Sequence, residues 1–407
     1  MSTIRPFRAL RPRADKAKEV SCVPYDVVAD DEVLRHIHEN PLSFLRVTRP
    51  EAEFATAAGG VSVVLESAKS TLERFVEDGV MVQDAEPSVY IYRLEAGTHT
   101  QTGVVACCSL DEYENGSIKK HENTQPDKVE DRTRHMLSLR AQTGLIFLTY
   151  RGTDEIGALV DAATGTEPLF DFIGMNDVRQ TVWRVADPAA FTEAFAAVPA
   201  LYIADGHHRI ESAERARQIL KKQNPDHRGD EDYNFVLAGI FPAEESRINA
   251  YNRAVRDLGD LTEEEFLSRL AEGFTVTEDA KRRPDRHGEI CMYLGGRWRT
   301  LIFAAEHDRE LDPVERLDVS ILQDHILRPI LGIDDPRTNK RISFVGGGRG
   351  IEELERMVDS GEARVAFSLY PTTMADLLEV SDRGEIMPPK STWFEPKLKD
   401  GLFVHLI

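Results

Sequence analysis

The chain has 407 residues, is 41% hydrophobic and 29% charged, and carries a formal net charge of −20 at pH 7. That length supports one large core or two to three smaller ones, and the composition is that of an ordinary globular protein. The acidic total speaks against nucleic acid as the principal partner, because duplex binding draws on clustered Lys and Arg, and no apolar run approaches the roughly 20 residues that cross a bilayer.

The four cysteines, Cys22, Cys107, Cys108 and Cys291, form no CxxC pair, which argues against a structural zinc site. So few in so long a chain suit a reducing cytoplasm, where they act as small buried hydrophobes. The first residues lack the apolar core of a signal peptide. The expected compartment is the cytoplasm, with no membrane partner.

In chain order, Ile4 to Leu10 alternates as an edge strand with Pro6 near its start. VSCVPYDVV reads as an apolar strand running into a turn that presents Asp26, and Pro24 biases Val23 toward extended geometry. Asp30 opens a short helix, and NPLSFLRV at Asn40 reads as a turn followed by a strand. From Glu51 to Asp78 the pattern is helical, with Val61, Val64, Leu65, Ala68, Leu72 and Phe75 on one face. Ser88 to Ala96 and Thr102 to Leu110 read as strands joined near Gly97. Asn115-Gly116 carries a hairpin signal.

The loop that follows delivers Lys119, Lys120, His121, Glu122 and Thr124 to a helix opening near Pro126, whose first turns add Lys128, Asp131 and Arg132. A His-Glu pair followed by Lys, Asp and Arg can hold a phosphoryl donor, a magnesium ion, or both. The bland alternative is a solvated charged helix face.

After a strand at Gly144 to Tyr150, a helix from Ile156, a strand from Gln180 and a helix from Pro188 comes the densest chemistry. Ala200 to Ala204 is an apolar strand, Asp205-Gly206-His207-His208-Arg209 a polar turn, and the residues to Leu220 a helix. A turn at a helix N-terminus attracts anions. Gly206 allows close approach or positive φ, Arg209 offers a planar fork of donors, and the histidines can donate to phosphoryl oxygens or move protons. The alternative is an Asp cap with two partly buried histidines.

Lys221 to Asn234 reads as a polar loop with a solvated His227, followed by a strand from Phe235 and by Asn252 and Arg253, which are candidates to face a cleft. Thr262 caps an acidic amphipathic helix, Gly295-Gly296 turns a hairpin, and Leu317 to Ile333 is a helix with His325 as a core histidine. RISFVGGGRG is a strand entering a glycine turn that matches neither common phosphate-loop pattern. In the tail, Lys390-Ser391-Thr392 offers a charge and two hydroxyls, and Lys390 and Lys397 are candidate phosphate-facing cations.

IRPFRALRP at Ile4, VPYDV at Val23, NPLSFLRV at Asn40, KKHENT at Lys119, DGHHR at Asp205 and PPKSTWFEPKLKDGL at Pro388 appear in that order. Together they resemble a large prokaryotic family related to the free-serine kinases of the SerK type, within the ParB/sulfiredoxin superfamily. The resemblance implies a mixed α/β fold. A ParB/sulfiredoxin-like catalytic region over 1–260 would carry an insertion at about 51–180, and a C-terminal α/β lobe over 261–407 would return its last loop to the cleft.

It also implies a kinase: phosphoryl transfer from ATP, ADP or pyrophosphate, with Mg2+, to the hydroxyl of a small metabolite, first of all free L-serine. Asp205 would be the acid/base or metal-organising residue, and Gly206, His207, His208 and Arg209 would hold the donor, with His208 also placed for proton transfer. Glu122 is the first candidate for general base and Asp26 the second. Lys120, His121, Thr124, Arg132, Lys390 and Ser391 would contact phosphate or nucleotide, and the tail motif favours Lys390 over Lys397. Two other readings stay open, a non-catalytic nucleotide-binding regulator and a metal-dependent phosphohydrolase. Sulfiredoxin-like redox work needs a cysteine in the phosphate turn, and DGHHR has none.

Overall fold

The computed structural model describes residues 1–54, 60–278, 281–303 and 312–407. The chain divides into two units. Unit 1 comprises Met1–Lys120, Thr124–Ser246 and Pro396–Ile407; unit 2 comprises His121–Asn123 and Arg247–Glu395.

Unit 1 is built on a nine-stranded mixed sheet. Its strands are β1 (Ile4–Arg5), β2 (Tyr90–Ala96), β3 (His99–Ser109), β4 (Ile118–Lys119), β5 (Ile146–Tyr150), β6 (Phe170–Ile173), β7 (Arg179–Arg184), β8 (Leu201–Asp205) and β9 (Phe235–Pro242). Their order is β4-β8-β5-β9-β3-β2-β7-β6, with β1 also paired to β3. β5 runs parallel to β9 and antiparallel to β8, while β4 joins β8 in parallel, Leu201 opposite Ile118 and Tyr202 opposite Lys119. The central strands are near-continuous apolar runs because both faces are covered. Ile146, Leu148, Ile203, Ala238 and Ile240 all belong to one core cluster. On this sheet pack α1 (Pro126–Leu139) and α2 (His207–Gln223), joined where the Ser212 hydroxyl donates to the Val129 carbonyl at 3.1 Å.

Unit 2 carries a six-stranded antiparallel sheet of β10 (Tyr251–Val255), β11 (Phe274–Thr277), β12 (Glu289–Leu294), β13 (Arg297–Phe303), β14 (Ile342–Gly346) and β15 (Val365–Leu369). Its order is β11-β13-β12-β15-β10-β14. Gly295 and Gly296, at φ +60° and +76°, turn the β12–β13 hairpin as their residue type demands. Thr262 and Glu265 form a capping box on the helix Glu263–Leu270. β14 feeds through the glycine turn into α3 (Gly350–Asp359). Both units mix helices with sheet, so the fold is mixed α/β, as expected.

Several local expectations are corrected. NPLSFLRV forms the helical turn Leu45–Thr48, not a strand, because Phe44, Leu45 and Val47 all point into one core, which a strand's alternation would forbid. VSCVPYDVV makes only an isolated bridge, Cys22 to Asp400. Asn115-Gly116 is no hairpin: it follows the helix Leu110–Glu114, and β4 pairs with β8 instead. The helix expected from Glu51 runs from Val61 to Glu77 after a 3-10 turn at Pro50–Phe54. Residues 55–59 of that expectation lie outside the described residues. Ala68, Leu72 and Phe75 are buried as the pattern required, while Val61 is 57% exposed. Leu317 to Ile333 is a short helix, Asp318–Leu322, that widens into a π turn at Gln323–Leu327. His325 is exposed, its ring 4.7 Å from that of Phe303, and is not a core residue. His227 is not simply solvated, since its ring meets the Tyr233 hydroxyl at 2.9 Å and Glu231 at 3.0 Å. All four cysteines are buried thiols outside any disulfide. Among the described residues no helix is long and apolar enough to cross a membrane.

Candidate functional site

The DGHHR turn sits where the strand, glycine and helix signals put it. β8 ends at Asp205, Gly206 takes φ +101° and ψ 28°, and α2 begins at His207. Only glycine adopts that conformation without strain. A Cβ there would also lie 3.0 Å from Arg209 Nε and from Ile146 Cγ2. Because Gly206 has no side chain, the helix start has no side-chain cap, and its dipole presents partial positive charge to the space beside Asp205.

Charge is concentrated here. Lys397 Nζ donates to Asp205 Oδ2 at 2.8 Å, and Arg209 Nη2 lies 3.8 Å from Asp205 Oδ1. Burial pushes the Asp205 carboxyl up, but Lys397, Arg209 and His207 outweigh it and hold the group well below the usual carboxylate range. Arg209 Nη1 donates to the Leu145 carbonyl, while its buried Nε has no hydrogen-bond partner.

Behind Arg209 lies Asp400, 2% exposed, whose charged form the Tyr25 backbone N–H favours. Asp400, Arg209, Arg132, Tyr25 and His135 line a cavity of about 40 Å³, room for a few waters. Burial, with Asp26 adding to it against Arg209 and Arg132, pushes the Asp400 carboxyl up to about 7. The Arg132 guanidinium lies 4.4 Å over the Tyr25 ring, and its Nη1 donates to the Thr48 carbonyl at 3.0 Å. Burial and the Arg132 charge lower His135 to about 4, so it is a neutral histidine on the Val47 carbonyl.

The other expected residues fall into both units. In unit 1, the Gln125 N–H donates to His208 Nε2 at 3.0 Å, which fastens the start of α1 to the turn. Thr124, half-buried, directly precedes that contact, Lys120 is exposed beyond β4, and His207 is buried. Asp26 is exposed, yet its charge is felt by Arg209, Tyr25 and Asp400.

In unit 2, His121 is 1% exposed, with Nε2 3.4 Å from Thr392 Oγ1 and its carbonyl accepting the Met387 N–H at 2.9 Å. Glu122 beside it is half-buried. Lys390 is exposed at φ +60°, its ammonium 5.7 Å from the Tyr251 ring centroid, and the buried Ser391 hydroxyl donates to the Pro388 carbonyl at 2.7 Å. Arg253, 4% exposed, donates to the Lys390 carbonyl at 3.0 Å and the Pro389 carbonyl at 3.3 Å. Burial lowers it to about 9.

Unit 1 thus gathers Asp205, Gly206, His208, Arg209, Arg132 and Asp26, and unit 2 joins His121 to the PKST loop. Sequence reasoning ranked Lys397 behind Lys390, yet Lys397 is the cation bonded to Asp205. It missed Asp400 and Tyr25 altogether. A signal existed for both: Asp400 stands in the same tail motif as Lys397, and Tyr25 precedes Asp26 in VPYDV.

No curated protein matches the chain. Among solved structures, a conserved hypothetical protein from Pyrococcus furiosus is 19% identical at a TM-score of 0.37, covering 75% of this chain and 95% of that one. A free serine kinase in complex with AMP is 16% identical at 0.35, covering 72% and 86%. SbnI with C-terminal truncation, from Staphylococcus aureus, is 12% identical at 0.38, covering 74% and 87%. A family model described as "Protein of unknown function (DUF1015)" matches residues 4–320, well over half of the sequence, and the chain belongs to that family.

Proposed function

We propose that the protein is a phosphotransferase that moves a phosphoryl group from ATP, ADP or pyrophosphate to the hydroxyl of a small metabolite, with free L-serine the first acceptor to test. The observation that carries this reading is Asp205 clasped between Lys397 and Arg209 at the glycine-opened start of α2. Phosphoryl transfer asks a protein mainly for positioning and for neutralised equatorial oxygens, and this turn concentrates donors and positive charge on one spot. The ordered motifs resembling the free-serine kinases point the same way.

In this reading Arg209 and Lys397 take the donor phosphate, and Asp205, ionised throughout the neutral range, keeps them oriented. Its depressed pKa makes it a weak proton acceptor. The general base is therefore sought elsewhere, in Glu122 first and Asp26 second, the order the motif resemblance implies. As the base removes the hydroxyl proton, the new O–P bond forms and the bond to the leaving phosphate or nucleotide breaks. Magnesium, when bound, would neutralise donor oxygens. Of the unit 1 carboxylates, Asp205 is already paired with Lys397 and Asp400 is enclosed.

A phosphorus NMR screen of the protein with ATP, ADP or pyrophosphate, each with and without serine and magnesium, tests the reading. A phosphomonoester resonance that grows only when serine is present is the expected result. Donor spectra that stay unchanged with every combination would contradict it.

A further inference from the structure

Unit 2 holds a second polar cavity, of about 320 Å³, that none of this chemistry uses. Asn252 on β10 and Ser368 on β15 contribute to its lining, and each is 2% exposed. They stand one step beyond the Arg253–Phe367 pair of the β10–β15 ladder, so their side chains share a face of the sheet. The Asn252 side-chain oxygen accepts the Leu369 N–H at 3.0 Å. Its amide nitrogen and the Ser368 hydroxyl have no hydrogen-bond partner among the described residues. Buried polar groups are almost always paired, so two open donors on one cavity call for a partner.

The rim is cationic. Arg247 and Arg283 are exposed and line the same cavity, and among the described residues neither makes an ion pair. The nearby Glu352 is bonded by Arg282 at 3.2 Å and also feels the charge of Arg283, which makes no ion-pair contact with it. The glycine turn forms another wall, pressed close: a Cβ on Gly347 would fall 2.8 Å from Asn249 Cβ, and one on Gly348 2.3 Å from Glu395 Oε1. The Glu395 carboxylate, held by the Trp393 indole N–H at 2.9 Å and by the Asn249 amide, is the acceptor on the lining.

We propose that this cavity binds a phosphate monoester bearing free hydroxyls, a sugar phosphate or nucleoside phosphate. Arg247 and Arg283 take the phosphate, Asn252 and Ser368 donate to its oxygens, and Glu395 accepts from a hydroxyl. Two guanidinium groups without a close carboxylate contact select a dianion, and a carboxylate among them rejects a bare anion but favours one that carries donors. The site shares no residue with the DGHHR turn and does not rest on the phosphotransferase reading.

Calorimetric titration of the full chain with ribose 5-phosphate and with inorganic phosphate tests this. Saturable binding is expected, tighter for ribose 5-phosphate. The double variant Arg247→Gln/Arg283→Gln, altered only at exposed positions, should weaken it roughly tenfold or more. Ser368→Ala should weaken it several-fold, and Arg209→Ala should leave it unchanged. No saturable binding to the wild type, or binding lost in Arg209→Ala and kept in the double variant, would overturn the site. Equal affinity for the two probes would overturn the class of ligand.

Discussion

Asp205, half-buried, and Asp400, enclosed, are two carboxyls with opposite fates. Asp205 touches an ammonium and a guanidinium and stays ionised, whereas Asp400 meets its cations only across a cavity, and burial wins. The sign of each consequence follows from linkage. Between the ordinary carboxyl value of 3.8 and about 7, folded Asp400 keeps a proton that the unfolded chain releases. Its presence therefore costs stability progressively as pH rises through that window, and fully above it. Asp400→Asn should raise the urea midpoint at pH 8, by at most about 4 kcal/mol in stability, and leave it nearly unchanged at pH 4. Parallel midpoints at both pH values would remove the strained carboxyl. Asp205 behaves inversely: its contribution is present above the ordinary carboxyl value and lost as pH falls through its depressed one. Arg209→Ala should weaken donor binding by about 1.5–3 kcal/mol, as expected for a charge-assisted contact; unchanged affinity in a titration with ADP would take Arg209 out of the donor site.

The strand–turn–helix unit is where sequence and structure agree best. An apolar run, a glycine and a helix-forming stretch dictate it locally, and β8, Gly206 and α2 follow with no tertiary override. Gly206→Ala should cost about 1–2 kcal/mol, since a side chain is forced to positive φ against Ile146. A thermal unfolding curve equal to that of the wild type would show the turn to be less constrained. The misread elements share a different cause. NPLSFLRV is too short for its period to separate strand from helix, and packing of Phe44, Leu45 and Val47 into one core decided for helix. At Asn115-Gly116 the residue chemistry makes a turn, but which strand the chain then joins is set by β8, far along the sequence.

At the scale of the molecule, Pro396–Ile407 belongs to unit 1; the motif resemblance implied a returning last loop, but the residue pattern by itself did not. Lys397 reaches Asp205 across a separation of 192 residues, and no spacing or periodicity encodes such a contact. Composition did convey that the cysteines would mostly be buried thiols. The returning segment also carries Leu398, Leu402, Phe403 and Val404, each no more than 5% exposed, and pairs His405 with Gln142. At about 1.5–3 kcal/mol per buried side chain, these four rival the roughly 5–15 kcal/mol that holds a whole domain. Deleting Pro396–Ile407 should therefore unfold unit 1, seen as loss of its cooperative transition in circular dichroism. A truncated protein melting like the parent would contradict that.

Phosphorus NMR of serine-dependent donor consumption, run side by side on the wild type and on Asp205→Asn checked for a folded spectrum, tests the central claim most directly. Phosphoserine should accumulate with the wild type and not with the variant. Undiminished turnover in Asp205→Asn would contradict the role given to the turn.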